Sequence, residues 1–240
     1  MTINIVIPVL NEERSLRSGV EKTIYFLETT EIKDKYRITI ADNGSTDSTE
    51  AIAKDLCTEY NCVNYLRLAD RGVGLAFREA IKCNKENVIG YMDVDLATDI
   101  RHLKQIYRLF SENKADIAVG SRLLPKSKVY NRTLLREFTS RTLNLILKIF
   151  LGVHFSDAMC GFKFYKKEIA EHLVEISSDN KGWFFCAEMM IRAEWDNISI
   201  KEIPVLWHDD PNSKVKVGKL SIDYMSEIFK LRKEKRRKNG

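Results

Sequence analysis

The sequence predicts one α/β sandwich with a mostly parallel central sheet. Three observations lead there. Short apolar runs alternate with stretches of helical period up to Leu123. Polar clusters sit where the apolar runs end. The 240 residues, 44% of them apolar, can fill one large core, and no low-complexity linker divides them.

The elements follow in order. INIVIPVL (3–10) reads as a buried strand, and from Glu13 to Glu28 the residues Leu16, Val20, Ile24 and Leu27 recur at helical spacing. YRITIAD (36–42) is a second strand, followed by an NGS turn and a helix from Asp47 to Tyr60 capped by Asp47 or Ser48. VNYLRL (63–68), NVIGYMDVDL (87–96) and DIAVGSRL (116–123) are three more strands. Between them lie a glycine-entered helix, RGVGLAFREAIKCN (71–84), and a helix from Ile100 to Asn113. This rhythm implies parallel strands joined by right-handed crossovers. Residues 131–151 then read as one long helix with clustered Leu, Ile and Phe and four cations: Arg132, Arg136, Arg141 and Lys148. Its apolar run is shorter than the roughly 20 residues a spanning helix needs. It suits either the plane of a membrane interface or packing on the sheet. The catalytic domain is expected over 1–229, with a basic tail at 230–240.

Charge placement excludes one class of partner. Between Lys230 and Gly240 lie seven basic residues and one acid, so a net charge of +5 leaves the body at −1. No aromatic residue interleaves the tail, which argues against nucleic acid. An anionic membrane surface fits the tail, and so does a solvated end. Five unpatterned cysteines and a start without a basic-then-apolar leader point to a reducing cytoplasm. The expected location is therefore cytoplasmic, peripheral at the inner membrane face.

Ligands of open parallel sheets bind at the carboxyl ends of the strands. Three polar clusters fall there: Asn11-Glu12-Glu13, Asp42-Asn43-Gly44-Ser45 and Asp93-Val94-Asp95. Asp93 and Asp95, one residue apart after an apolar strand, can present oxygens to one Mg²⁺ or Mn²⁺. Such a cation bridges a diphosphate and offsets charge on a leaving nucleoside diphosphate. Asp42 can accept hydrogen bonds from a base or ribose, or simply cap its turn. Gly72 and Gly74 could let backbone approach a phosphate, although a plain turn explains them too.

Eight blocks, in order from Ile5 to Val215, resemble the family 2 glycosyltransferases, and within them the polyprenyl-phosphate (dolichyl-phosphate glucose and mannose) synthases. They are IVIPVLNEE, IADNGSTDST, RGVGLAFREAI, YMDVDLATD, VGSRL, SDAMCGFKFYKKE, GWFFCAEMMIRA and IKEIPVLW followed by NSKV. The resemblance implies a GT-A fold and an inverting transfer from a nucleotide sugar to a polyprenyl (dolichyl) phosphate. It implies that Pro8, Leu10, Glu12 and Asp42 line the base and ribose pocket, and that Asp93, Val94 and Asp95 hold the metal and diphosphate. It further implies phosphate contacts from Arg122, an acceptor-phosphate site of Arg122, Arg136 and Ser140, and closure of Lys214 over the donor.

Several positions depart from the family pattern. Asn43 replaces a second aspartate, and Ala97 stands where mannose synthases place a third metal-contacting side chain. His208 replaces an arginine of the mannose synthases, which favours a UDP-sugar over GDP-mannose. Cys186 replaces an aspartate, while Glu188 remains. A phosphate monoester is already ionised at neutral pH and needs no base, so that loss is tolerable. Glu188 is the one candidate base, with a structural role as its alternative. Two other functions compete: transfer to a hydroxyl of a glycan or lipid-linked saccharide, and a non-catalytic nucleotide-sugar binding subunit. Relatives often carry transmembrane helices after the catalytic domain. An ending in KEKRRKNG therefore suggests a peripheral enzyme served by a membrane-anchored partner.

Overall fold

The computed structural model describes residues 1–209 and 217–238. Its first half follows the expected rhythm: β1 (Ile3–Val9), α1 (Leu16–Glu28), β2 (Tyr36–Asp42), α2 (Thr49–Glu59), β3 (Val63–Arg67), α3 (Val73–Lys82), β4 (Val88–Met92), α4 (His102–Ser111) and β5 (Ile117–Ser121). The second half adds β6 (Lys128–Tyr130), α5 (Leu134–Leu151), β7 (Phe162–Lys166), α6 (Lys167–Ile176), α7 (Phe184–Trp195), β8 (Ile200–Pro204), β9 (Leu206–His208) and α8 (Val217–Lys238).

Seven strands form one sheet in the order β3-β2-β1-β4-β7-β5-β8, and β6 pairs with β9 in a separate ribbon. All neighbours in the large sheet are parallel except β7, which runs antiparallel between β4 and β5. Strand residues alternate between two apolar layers. Ile5, Ile7, Met92 and Phe162 face one side, with Leu16, Leu56 and Leu103 from α1, α2 and α4. Val6, Tyr91 and Tyr165 face the other, with Phe77, Leu147, Leu173 and Phe185 from α3, α5, α6 and α7. Because β7 is reversed, its first residues lie beside the last residues of β4 and β5. The 153–161 segment is thereby delivered to the carboxyl edge.

The 131–151 helix begins three residues late. Asn131 is left-handed at φ +58°, and Thr133 caps the helix by accepting from the Arg136 N–H at 3.3 Å. Gly152, left-handed at φ +65°, ends it. Its inner face packs on the sheet through Leu147 and Leu151, while Leu134 (89% exposed), Phe138 and Ile149 face outward. No described helix is long and apolar enough to cross a membrane.

α8 runs through residue 230, where the basic segment begins, to Lys238. Leu231 is buried, Arg232 stacks on Phe150, Glu234 pairs with Arg192 and Lys235 donates to the Leu151 carbonyl at 2.6 Å. Apolar and paired side chains every three to four residues fasten this part of the helix to α5 and α7.

Candidate active site

β1, β2, β4 and β5 all end at one edge, and every described candidate donor residue lies along it. Asn11, left-handed at φ +56°, turns the chain after β1. Its N–H donates to Ser45 Oγ at 2.9 Å and its side chain accepts from the Thr46 N–H, so the first two polar clusters are stitched together. Pro8 is half-buried in β1, and Leu10 is exposed beyond it. Glu12 sits at the start of α1, where its carboxylate accepts from Ser15 Oγ at 2.5 Å.

Asp42 is fully buried. Its carboxylate accepts from the Ser45 N–H (2.8 Å), Tyr65 Oη (2.8 Å) and Arg67 Nη1 (2.7 Å). Burial works against its charge, yet these donors outweigh it and hold the carboxyl below the usual range. Asn43 accepts from the Gly72 N–H at 3.2 Å, a bond that an aspartate would accept as well. The paired glycines serve close packing rather than an open phosphate cradle. A Cβ on Gly74 would lie 2.4 Å from the Gly182 carbonyl, and the Leu75 N–H donates to the Lys181 carbonyl.

The β4 edge is built differently. Asp93 is half-buried directly after the strand, Val94 is buried and Asp95 is exposed. The turn is held by Asp95 accepting from the Ala97 N–H (2.9 Å) and by Leu96 in the left-handed region at φ +57°. A branched-chain residue held there is strained, as functional turns often are. Gly19 of α1 sits so close that a Cβ would lie 2.2 Å from the Val94 carbonyl. Gly161 does the same for Asp93, where a Cβ would lie 2.2 Å from Oδ2. Among the described residues no hydrogen-bond donor reaches the Asp93 carboxylate. Desolvation, then repulsion from Asp95, raises its pKa to about 7, against the pull of Arg122 and Lys163. Two neighbouring carboxylates, one lacking a donor and cradled by bare backbone, form a donor set suited to a hard divalent cation. Among the described residues no third His, Cys, Asp or Glu joins them.

Arg122 follows β5 and is held flat. Nε and Nη2 donate to the two oxygens of buried Asp157 at 2.8 and 2.9 Å, and the guanidinium stacks 4.8 Å from the Trp207 ring. The Asp157 carboxyl is driven well below the carboxylate range: burial opposes its charge, but Arg122 outweighs burial. Sequence reading missed Asp157, because a lone aspartate in SDAM looks like a turn residue. It also missed Lys163, whose signal was a charge inside the apolar run FKFYK. Lys163 is fully buried; its ammonium donates to the Cys160 carbonyl and lies 5.7 Å from the Tyr91 ring.

The start of α5 brings further arginines to the same end. Arg136 Nη1 pairs with Asp209 at 2.6 Å, and Ser140 Oγ accepts from Arg132 Nη2 at 2.5 Å. Of the four cations expected in this helix, Arg132 and Arg136 are partly buried and paired with Glu137 and Asp209, while Arg141 and Lys148 are exposed. Glu188 is fully buried on α7, with its oxygens occupied by the Ser178 N–H and Oγ and by Arg192 Nε. Cys186 is buried and its thiol is pushed up to about 11. Lys214 lies outside the described residues.

The chain matches the profile "Glycosyl transferase family 2" over residues 4–174. It is 31% identical over 229 residues to glycosyltransferase AglD of Haloferax volcanii, covering 95% of this chain and 36% of that protein. It is 29% identical over 237 residues to dolichyl-phosphate beta-glucosyltransferase ALG5D of Trichomonas vaginalis, covering 93% of this chain and 72% of that one. Thus the chain spans about a third of the first relative's length and most of the second's. In structure it resembles glucosyl-3-phosphoglycerate synthase of Mycobacterium tuberculosis, solved with Mn²⁺, UDP-glucose and phosphoglyceric acid (TM-score 0.69, 16% identity, 96% of this chain and 79% of that one). It also resembles TarS of S. aureus in complex with UDP-GlcNAc (TM-score 0.63, 15% identity, 97% and 65%). The shared architecture is the GT-A fold.

Proposed function

The chain belongs to glycosyl transferase family 2, and from that premise we propose that it moves a sugar, with inversion, from a nucleotide-sugar donor to a polyprenyl phosphate. One juxtaposition carries the reading: the Asp93–Asp95 pair shares the carboxyl edge with arginines placed by β5 and α5. Carboxylates that suit a cation and guanidiniums that suit phosphate oxygens are what a diphosphate leaving group and a phosphate acceptor need.

The residues divide the work as follows. Pro8, Leu10 and Glu12 shape the base and ribose pocket, and Asp42 acts there by fixing Tyr65 and Arg67. Asp93 and Asp95 hold Mg²⁺ or Mn²⁺, which when bound offsets the charge of the departing nucleoside diphosphate. Arg122, locked by Asp157, presents a fixed positive charge at no reorganisation cost. Arg136 and Ser140 receive the acceptor phosphate at the start of α5. That phosphate attacks as its own ionised oxygen, so no base is required. Glu188, filled by Ser178 and Arg192, serves as a buried brace. A UDP-sugar is the preferred donor: relatives include named beta-glucosyltransferases, and the solved neighbours hold UDP-sugars.

The outward face of α5, with Leu134, Leu135, Phe138, Leu145 and Ile149, rests on the cytoplasmic membrane surface, joined by Lys230, Lys233, Arg236 and Arg237 of α8. A thermal-shift comparison tests the donor half. UDP should stabilise the protein more than GDP, and only with Mn²⁺ or Mg²⁺ present. Equal stabilisation by both nucleotides in chelator would contradict it.

A further inference from the structure

We infer that Arg132, just before α5, is a direct ligand of the acceptor phosphate, and that Glu137 occupies its place in the unliganded protein. The inference rests on the phosphate-acceptor reading and adds to it a residue that the family spacing of Arg136 and Ser140 does not include. The Arg132 side chain is only 7% exposed, as deeply placed as a structural arginine. Its hydrogen bonds nevertheless leave it incomplete. Nη2 donates to Ser140 Oγ (2.5 Å) and to the Arg136 carbonyl (3.3 Å). Nε is buried with no hydrogen-bond partner, although Glu137 Oε2 stands 3.0 Å away, out of line. A buried guanidinium N–H without an acceptor is costly unless something binds there.

The carboxylate it faces is shared. Glu137 Oε1 accepts from Arg141 Nε at 2.6 Å, so one acid serves two arginines. Around the start of α5, Arg122, Arg132, Arg136 and Arg141 have Asp157, Asp209 and Glu137 as described carboxylate partners. Burial and then the nearby Arg122 disfavour the charge of Arg132, against the pull of Asp157, Glu137 and Asp209. A phosphate monoester offers Nε the in-line acceptor that Glu137 does not. It would take Ser140 Oγ as a donor and leave Glu137 on Arg141. Arg136 keeps Asp209 at rest and is the outer member of the site.

The test uses the whole chain and farnesyl phosphate, with farnesol and inorganic phosphate as separate arms, read by equilibrium binding. The parent should bind farnesyl phosphate well, inorganic phosphate more weakly and farnesol least. Arg132→Ala should weaken farnesyl phosphate binding about tenfold or more and raise the acceptor KM, while UDP affinity stays at the parent value. Arg132→Lys should restore part of the loss. Glu137→Gln should bind farnesyl phosphate several-fold more tightly than the parent, because a competing carboxylate is gone. Unchanged binding in Arg132→Ala, or weaker binding in Glu137→Gln, overturns the inference and leaves the acceptor reading standing. Inorganic phosphate binding as tightly as farnesyl phosphate makes this a free-anion site and overturns it as well. A parent that binds farnesol as well as farnesyl phosphate, or binds neither, overturns the acceptor reading and this inference with it.

Discussion

Asp42 and Asp93 both stand at the ends of parallel strands on the same edge of the sheet, and they are built in opposite ways. Asp42 is sealed from solvent with three donors on its carboxylate, and its pKa is depressed. Asp93 has no described donor, lies against the bare backbone of Gly161 and next to Asp95, and titrates near 7. The first carboxylate is finished by the fold; the second is left for a ligand to finish. Position along the strand is therefore a poor guide to role, and the set of donors around each acid is a better one.

The sharpest break between the two should come from alanine. Asp93→Ala or Asp95→Ala should lower turnover about a thousandfold or more without loss of thermal stability, since each removes an oxygen meant for a cation. Asp42→Ala should do the reverse in emphasis, costing about 1–3 kcal/mol of stability by stranding buried donors. Chemical denaturation alongside a turnover assay separates the two patterns. Asp157→Ala sharpens the contrast, because it strands the nearly buried Arg122 and should cost about 3–5 kcal/mol as well as activity.

A pH series in chelator extends the comparison with smaller effects. The depressed Asp42 contributes stability above its unfolded pKa and loses it as pH falls through the folded value, so Asp42→Asn should flatten the acid limb of the stability curve. Asp93 has the opposite sign. Its raised pKa costs stability that grows as pH rises from about 4 to about 7. Asp93→Asn should therefore melt higher than the parent at pH 8, with the gain shrinking toward pH 4. Equal melting at both pH values would show that the Asp93 carboxylate is not under strain.

The smallest effect concerns the membrane face. Changing Lys230, Lys233, Arg236 and Arg237 to Gln should weaken sedimentation with anionic liposomes several-fold and spare UDP binding. This is cleaner than deleting the segment, because Leu231, Glu234 and Lys235 are part of the packing. Binding that ignores these charges would leave membrane contact to α5 alone.

The β1–β5 half was legible because each element there follows a local rule. YRITIAD is a strand over the predicted residues, and the strand-end acids lie along one edge as the apolar rhythm required. The 153–161 segment was not legible, because its meaning depends on the reversal of β7. Nothing local in SDAMCG says that Asp157 will meet Arg122, 35 residues earlier, or that Gly161 will face Asp93. The packing of the basic segment was hidden for a related reason. Its charge is visible in the sequence, but the burial of Leu231 and the pairing of Glu234 with Arg192 exist only after α7 and α8 dock. Long-range pairing hides a site more thoroughly than any loss of pattern within it.

The most direct measurement of the account is the identity of the acceptor. The protein is incubated with Mn²⁺ and a UDP-sugar, and with either a polyprenyl phosphate or the corresponding polyprenol as sole acceptor. The account predicts a lipid product in which the sugar is joined through the phosphate, formed from the phosphate acceptor and not from the alcohol. It also predicts that this product disappears in chelator and in Asp93→Ala. Transfer to the polyprenol or to a glycan hydroxyl, with none to the phosphate, would contradict it.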